Sequence, residues 1–274
     1  MTILRPSRRV AAACAGAAAL VSSAARANPE PLPYSYVPET LEKGQLEVEQ
    51  YADFVPSKAL DGNTGKPVNF AGLQFQTELE YGLTPRLELG LYVVLSPDPA
   101  SGSFQGAPVM PEGTGVKQRL KYHLTDAATA PVDLSTYLEI EEKTQEFEVE
   151  AKVIAGRRFG PVRAIANFVV EQEIYYDGKA ETELFPSGGL VYQASYTVQP
   201  GIESWMHVEF PDDGGTRAFG QGPHVYVGPT LLLQWQKLWW STGAYFRVTD
   251  VTRETAPGDA FGKVWLRLLV GVPL

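Results

Sequence analysis

Hydrophobic and polar residues alternate along most of this chain. In the segment ELEYGLTPRLELGLY, from Glu78 to Tyr92, apolar residues recur at every second position on both sides of a Gly-Leu-Thr-Pro interruption. A period of two is typical of a β-strand that has one apolar and one polar face. The pattern continues from Gln45 onward, and no segment of useful length has a helical period. The sequence therefore predicts an all-β fold.

The alternation divides the chain into twelve predicted strands. Most of them are about ten residues or longer, whereas strands in globular proteins have about five or six residues. A tilted strand needs about ten residues to cross a bilayer. The predicted strands are residues 45–55, 69–82, 86–96, 114–124, 132–141, 146–156, 161–174, 188–199, 201–210, 223–235, 238–249 and 261–274.

Short and long connections alternate between these strands. Tight turns are predicted at Leu83-Thr84-Pro85, Phe159-Gly160, Gln199-Pro200 and Gln236-Lys237, and long polar loops at PSKALDGNTGKPVN, SPDPASGSFQGAPVMPEG, DGKAETELFPSG, PDDGGTRAFGQG and TRETAPGD. Short turns at one rim and long loops at the other are typical of outer-membrane barrels. The predicted fold is a transmembrane antiparallel up-and-down β-barrel of about 12 strands over residues 45–274, with both ends at the periplasmic rim. A soluble sandwich or lipocalin-like barrel is the alternative, and it would bury the same apolar faces in a dry core.

The two faces of the strands carry different chemistry. In the second predicted strand Leu79 and Tyr81 share one side, while Glu78 and Glu80 share the other. In a membrane barrel the apolar side contacts lipid and the charged side faces the lumen. The pore-lining residues predicted on this basis are Glu47, Glu49, Glu78, Glu80, Arg86, Glu88, Lys117, Arg119, Lys121, Glu139, Glu141, Glu148, Glu150, Lys152, Arg247 and Arg267.

The fourth predicted strand is basic along its inward side, which carries Lys117, Arg119, Lys121 and His123, and acidic strands flank it. Opposite charges on neighbouring strands favour ion pairs across the sheet. Such pairs avoid the large cost of unpaired buried charge. The charges either hold the barrel interior together or line a polar pore, and the pattern leaves both interpretations open.

Aromatic residues cluster near the predicted short turns. Trp235, Trp239 and Trp240 flank one turn, and Tyr122 lies near the same rim. Aromatic side chains at strand ends are typical of the bilayer interface. The sequence therefore predicts that these four residues belong to an interfacial girdle.

Residues 1–27 have the pattern of a secretory signal peptide. MTILRPSRR is basic, VAAACAGAAALVSSA is apolar, and Ala25-Arg26-Ala27 matches the small-x-small cleavage site. Removal of this segment takes away the one cysteine and four arginines, so the formal net charge changes from −9 to −13. An acidic chain without a basic cluster argues against nucleic acid as a partner. Residues 28–44 are rich in proline and predict an extended leader on the periplasmic side; the pattern does not show whether this leader enters the lumen.

Candidate catalytic chemistry is limited by the three histidines of the chain. His207 and His224 flank a long loop near Glu209 and Asp212, and a histidine with carboxylates can activate water or bind a metal. Polar rim residues are the simpler interpretation, because the sequence contains no G-x-S-x-G, H-E-x-x-H or P-loop motif. The prediction is a protein that is not an enzyme and has no catalytic residue, cofactor or metal. An outer-membrane hydrolase is the minor alternative.

The string ELEYGLTPRLELGLY, with GQLEVEQYADF before it and GKVWLRLLVGVPL at the end, resembles a family of bacterial outer-membrane barrels. This family consists of transporters associated with the meta-pathway of phenol degradation. The chain is more distantly similar to channels for hydrophobic compounds. The resemblance implies a channel or transporter and defines no site residue.

Pattern and resemblance together predict a channel in the outer membrane of a Gram-negative bacterium. It would pass small solutes, including hydrophobic or aromatic compounds, through a charged lumen, and inward carboxylates would favour cations. The expected partners are the lipid bilayer, outer-membrane lipids, the barrel assembly machinery and a small solute. The alternative is a non-conducting structural or adhesive barrel whose interior the charges fill.

Overall fold

A computed structural model describes residues 28–60, 67–95, 115–126, 128–143, 146–212, 223–249 and 262–274. These residues form thirteen β-strands, and none of the described residues lies in an α-helix. Within the same ranges, no helix is long and apolar enough to cross a membrane. The strands are β1 Leu46–Leu60, β2 Pro67–Thr84, β3 Leu87–Leu95, β4 Gly115–Thr125, β5 Asp133–Lys143, β6 Glu146–Phe159, β7 Val162–Tyr175, β8 Ala180–Leu184, β9 Ser187–Tyr192, β10 Val198–Asp212, β11 His224–Gln234, β12 Trp239–Arg247 and β13 Val264–Pro273.

The strands form one closed antiparallel sheet. Strands that follow one another in the chain pair with each other, except β8 and β9. β13 pairs with β1 from Pro273 opposite Glu47 to Leu266 opposite Phe54, which closes the barrel. β8 and β9 occupy a single position between β7 and β10. Twelve strand positions therefore surround the lumen. The predicted all-β antiparallel barrel of about 12 strands is confirmed.

The structure corrects the prediction between residues 177 and 200. β8 lies within DGKAETELFPSG, which was expected to be a loop. Phe185-Pro186 interrupts the strand because proline has no N–H for the ladder, and β9 continues in the same register against β7. The predicted strand 188–199 is therefore placed too late along the chain. Gln199-Pro200 lies inside β10 and is not a turn.

Three of the predicted tight turns lie where the sequence places them. Leu83-Thr84-Pro85, Phe159-Gly160 and Gln236-Lys237 each fall at a strand junction on one rim of the barrel, called the short-turn rim. The opposite rim is called the long-loop rim. The predicted signal peptide, residues 1–27, lies outside the described residues. So do residues 61–66, 96–114, 213–222 and 250–261, which make up much of the loops predicted for the long-loop rim.

The apolar sides of the strands face outward. On β2, Leu79 is 39% exposed whereas its neighbour Glu78 is 0% exposed. On β13, Leu266 is exposed while Trp265 is buried in the barrel interior. The soluble-sandwich alternative requires the apolar faces to pack together in a dry core, and the described residues have the reverse arrangement. A closed sheet with apolar side chains outside and paired backbone groups is the arrangement that hydrocarbon requires.

Three of the four aromatic residues predicted for the interfacial girdle face outward, as expected. Trp235, Trp240 and Tyr122 are exposed on the outer surface near the short-turn rim. The prediction for Trp239 is wrong. This side chain is fully buried in the lumen, where its indole N–H donates to Glu47 Oε1. The alternation of β12 already assigns Trp239 and Trp240 to opposite faces, so only one of the two can reach lipid.

Candidate functional site

Residues 28–44, called the lumenal segment below, fold into the barrel interior. The segment starts at the short-turn rim, where the amide of Asn28 donates to a carboxylate of β1 at 3.0 Å. It rises, turns at residues 32–35 and returns to the same rim. There the amide of Leu41 donates to Glu88 Oε2 at 2.7 Å. The leader that the sequence predicts therefore occupies the lumen.

Side chains of the barrel wall satisfy the backbone of the lumenal segment. Prolines at positions 29, 31, 33 and 38 prevent the segment from adding a regular strand to the sheet. Instead, the amide of Tyr36 donates to Asn167 Oδ1 at 2.8 Å, and Asn167 Nδ2 donates back to the Tyr36 carbonyl at 3.0 Å. The amide of Tyr34 and the hydroxyl of Ser35 donate to Glu203 Oε1 at 3.1 and 2.6 Å. Because unpaired buried backbone groups are costly, these bonds fix the position of the segment.

The tip of the segment is held by aromatic and cationic side chains. The Tyr34 ring lies 4.6 Å from the ring of Trp205 and 5.1 Å from that of Tyr245. The guanidinium of Arg267 lies 4.2 Å from the centre of the Tyr34 ring and pairs with Asp53 at 3.2 Å. Aromatic and cation–π contacts of this kind each contribute about 0.5–2 kcal/mol.

Tyr36 lies on the other side of the tip. The Lys152 ammonium is 4.3 Å from the centre of its ring and 4.2 Å from that of Tyr137. The same ammonium pairs with Glu150 at 2.7 Å. The Tyr36 hydroxyl lies 3.2 Å from the hydroxyl of Tyr92 on β3. The tip thus contacts opposite walls of the barrel through two tyrosines.

Nearer the short-turn rim, an ion-pair network fills the lumen beside the segment. The side chain of Arg119 on β4 is fully buried, and its guanidinium donates to Glu78 and Glu88 at 2.7 Å each and also to Glu80. Lys121, two residues further along β4, pairs with Glu88 at 3.1 Å. These are the cross-strand ion pairs that the alternation of charge predicts. Breaking one of these buried pairs would leave an uncompensated charge, which favours the interpretation that the charges hold the barrel interior together.

A cavity of about 210 Å³ lies against the tip of the lumenal segment, and Pro33, Tyr34 and Tyr36 form part of its lining. Strands β1 to β10 and β13 supply the remaining lining, together with Phe185 in the link between β8 and β9. Three cations line it, namely Lys117, Lys152 and Arg267. Eight carboxylates line it, namely Asp53, Glu139, Glu148, Glu150, Glu171, Glu173, Glu183 and Glu209.

The cavity is therefore an acidic chamber. Each of its three cations is already engaged with a carboxylate: Lys117 lies 3.3 Å from Glu139, and the other two form the pairs given above. Carboxylates outnumber cations eight to three in the lining. In a lumen with low-dielectric walls, this excess concentrates the field and favours cations over anions.

Two carboxylates of the lumenal segment have pKa values shifted in opposite directions. Burial raises the pKa of Glu30 to about 8, although the ammonium of Lys121 opposes the shift. Burial also acts to raise the pKa of Glu39, but the guanidinium of Arg163, which pairs with it, outweighs burial and the pKa is lowered. Glu30 therefore holds a proton in the docked segment at neutral pH, whereas Glu39 is ionised.

The predicted pore-lining residues lie on the inward face of the barrel, apart from Arg86. Arg86 is exposed in the turn between β2 and β3, so its assignment to the lumen is wrong; strand alternation does not continue through a turn. Arg247 lies at the long-loop rim, where its Nε donates to the Thr249 carbonyl at 3.2 Å. That these residues line a conducting pore stays a prediction. The inward residues are Glu47, Glu49, Glu78, Glu80, Glu88, Lys117, Arg119, Lys121, Glu139, Glu141, Glu148, Glu150, Lys152, Arg247 and Arg267.

The sequence prediction misses the residues that hold the lumenal segment. Glu203 and Asn167 lie on inward positions of their strands, but the alternation gives no sign that they accept bonds from another part of the chain. Tyr34 and Tyr36 are two residues apart in a proline-rich stretch without periodicity. Two large aromatic residues in such a stretch are the one signal that could have indicated a buried position.

Comparison with known families gives one match. The sequence profile of a family described as a family of unknown function, DUF6662, matches residues 24–251. A search of the curated proteins finds no match. The resemblance to transporters of the phenol-degradation pathway has no support in these comparisons.

Several solved structures are similar to this fold at low identity. A loop L8 deletion mutant of OmpT, an outer membrane protein of Vibrio cholerae, aligns with a TM-score of 0.42 and 7% identity over 85% of this chain and 100% of its own. OmpF of Salmonella typhi, in a complex with daunomycin, aligns with a TM-score of 0.31 and 10% identity over 85% and 98%. OccK5 (OpdH) of Pseudomonas aeruginosa aligns with 0.31 and 8% over the same shares. Likenesses this weak carry no argument about function.

Proposed function

This chain belongs to the family of unknown function DUF6662, and we propose from its own geometry that it is an outer-membrane channel for small organic cations, gated by the lumenal segment. The observation that carries the proposal is the acidic chamber against the tip of that segment, where carboxylates outnumber cations eight to three. A solute would enter the chamber from the long-loop side. It would continue to the short-turn rim when the segment leaves the lumen.

The apolar outer surface supports the membrane location. Consecutive strands β3 to β7 each present a large exposed apolar residue, namely Leu91, Leu120, Leu138, Val153 and Phe168. Soluble monomers rarely expose contiguous apolar patches larger than a few hundred Å². In a bilayer the same surface is stabilised by contact with lipid chains.

The way the lumenal segment is held supports gating rather than a permanent block. The segment contributes no strand to the sheet. It contacts the wall through side-chain hydrogen bonds, ion pairs, ring contacts and the packing of Leu32 and Val37 in a buried apolar cluster of the wall. Among the described residues, its one backbone bond to a strand, from the Gly44 amide to the Gly82 carbonyl at 2.8 Å, lies at its end next to β1. Both of its arms meet the short-turn rim. The segment can therefore leave the lumen without breaking any pairing between strands.

The lining supports an organic cation as the solute class. Beside its carboxylates, the chamber presents the rings of Tyr34, Trp205, Trp265 and Phe185. Aromatic faces and carboxylates together attract a cation that carries apolar groups. A purely hydrophobic compound, which the sequence resemblance suggests, would have to cross a lining dominated by charged side chains. The charge of the chamber therefore favours a cation over such a compound.

A disulfide that locks the lumenal segment tests the proposal. The hydroxyl oxygens of Ser35, at the tip, and Ser187, on β9, are 2.9 Å apart. Cys14, the one native cysteine, lies in the predicted signal peptide, so the variant Ser35→Cys/Ser187→Cys without residues 1–27 carries a single pair. In planar bilayers we expect low conductance when this pair is oxidised. Reduction should raise the conductance and give a cation-preferring reversal potential, while either single variant should not respond to reductant.

The second candidate function is a non-conducting structural barrel, which the buried Arg119 network and the filled short-turn half favour. The same experiment separates the two. Folding is first verified by the shift in gel mobility that barrels show on boiling. If folded, reduced protein carries no current, the structural barrel is supported and the channel is rejected. An anion-preferring current would reject the cation pathway.

A further inference from the structure

Two pairs of potential metal ligands face each other across three neighbouring strands. His207 on β10 is directly opposite His224 on β11. On the other side of β10, Glu209 is directly opposite Glu183 on β8. His207 and Glu209 are two residues apart and therefore point to the same, inward face of the barrel. The register of the sheet thus brings imidazoles and carboxylates together near the long-loop rim.

The distances within this cluster are those of a compact ligand set. His207 Nε2 lies 2.7 Å from Glu183 Oε2, and His207 Nδ1 lies 3.6 Å from Glu209 Oε1. One ligand atom from each of the three residues can be chosen so that all lie within 4.8 Å of one another. His207 is only 1% exposed. Two ligands at about 2.0–2.2 Å from a tetrahedral ion lie about 3.3–3.6 Å apart. The distance from His207 to Glu209 is close to this spacing, while His207 and Glu183 are at hydrogen-bond distance and would separate by less than about 1 Å to hold an ion.

The neighbours of His207 support a metal site in two ways. The ring of Phe185 stacks on its imidazole with the ring centres 4.3 Å apart, which restricts the rotation of the imidazole. Glu171 on β7 is directly opposite Glu183, and with Glu173 it forms a further carboxylate group at the same place. Carboxylates around a site draw a cation toward it through their field. The imidazole is therefore oriented by a ring on one side and surrounded by carboxylates on the other.

We propose that Glu183, His207 and Glu209 bind a divalent transition metal ion, with Zn²⁺ as the best chemical match. Zn²⁺ accepts imidazole nitrogen and carboxylate oxygen, and sites with three protein ligands keep a fourth position for water or another ligand. A purely carboxylate cluster would favour Mg²⁺ or Ca²⁺ instead. The imidazole of His207 is what shifts the preference to Zn²⁺. Since all three ligands line the acidic chamber, an ion can reach them from its interior. The site does not depend on the chain being a conducting channel.

Metal binding to the detergent-folded chain tests this proposal. In equilibrium dialysis against Zn²⁺ alone, we expect one tightly bound ion per chain. The substitution His207→Gln should weaken binding by at least about tenfold, which is the lower end of the effect of losing even an outer partner of a metal site. Co²⁺ in the same site should give visible absorption bands, and these should disappear in the variant.

A matched control is available at the opposite rim. His123 Nε2 lies 3.0 Å from Asp133 Oδ1, but none of the three-ligand groups among the described residues includes it. His123→Gln should therefore leave Zn²⁺ affinity unchanged. If His207→Gln does not fold, Glu209→Gln removes a ligand and keeps the pair of His207 with Glu183. The proposal is overturned if the folded chain shows no saturable Zn²⁺ binding, or if the ligand variants bind as tightly as the His123 control.

Discussion

Removal of the Arg119 side chain should destabilise the barrel more than removal of any exposed cation. Its guanidinium is fully buried and donates to Glu78, Glu80 and Glu88. In Arg119→Met, Glu88 keeps the ammonium of Lys121 at 3.1 Å. Glu80 loses its guanidinium partner, and Glu78 is left with the hydroxyl of Tyr51, 2.9 Å from its Oε2. Breaking a buried ion pair in this way costs about 3–5 kcal/mol of the free energy of unfolding.

Urea unfolding in detergent micelles, followed by tryptophan fluorescence, measures this loss. Trp205 and Trp239 are buried in the lumen, so their emission reports entry of water. Arg86→Met is the matched control, because Arg86 is exposed in a turn. An exposed site of this kind should change stability by no more than about 0.5 kcal/mol.

The double variant Arg119→Met/Glu80→Gln separates charge from packing. It removes the carboxylate that is left without a cation, so it should recover about 1–3 kcal/mol of the loss. If Arg119→Met costs less than about 1 kcal/mol, or no more than Arg86→Met, the network does not hold the interior together. The proposed role of the inward charges in stability would then be wrong.

Three further predictions concern the lumenal segment and its surroundings. The contribution of Glu30 to docking should be full below pH 4.5, the usual pKa of this carboxyl, and should be lost as the pH rises to its raised value of about 8. Conductance should therefore rise over that range, and a profile that is the same in Glu30→Gln would contradict the prediction. The predicted cleavage site follows Ala27, so mass spectrometry of the exported chain should give a start at Asn28 and no other position. Cleavage there would turn the Asn28 nitrogen into an ammonium 3.0 Å from Glu47 Oε2, which would hold the start of the lumenal segment. An added Cβ in Gly90→Ala would lie 2.5 Å from Glu78 Oε1 and 2.6 Å from the Arg119 side chain; the urea midpoint should show a loss of about 1–3 kcal/mol, and an unchanged midpoint would mean that the guanidinium can move aside.

The fold could be predicted because a two-residue period has only two faces. Once Leu79 is assigned to the outside, Glu78 must face the lumen, and the same holds along every regular strand. Ion pairs such as that of Lys117 with Glu139 then follow from the order of the strands. The prediction fails where regularity ends. Arg86 lies in a turn, and Pro186 interrupts a strand that the pattern places about eight residues later.

The candidate site could be predicted only in part. The wall of the acidic chamber follows from strand alternation, as Glu139, Glu148 and Glu150 show. The part of the lining that the lumenal segment supplies does not follow from the pattern, because a proline-rich segment has no period from which burial can be predicted. The position of Tyr34 depends on contacts with residues about 170 positions away, such as Glu203. Side-chain bonds over such separations leave no trace in local sequence.

The lumenal segment continues directly into β1, which makes it a tethered stopper. A ligand that diffuses away is diluted, whereas a tethered element stays near its site at an effective concentration in the millimolar range for a short linker. In the proposed gating, re-insertion after each opening is an intramolecular event that needs no partner. A channel gated in the proposed way would reset itself and would be shut by default. The time it spends open would then depend on how strongly the solute or the medium competes for the contacts of the tip.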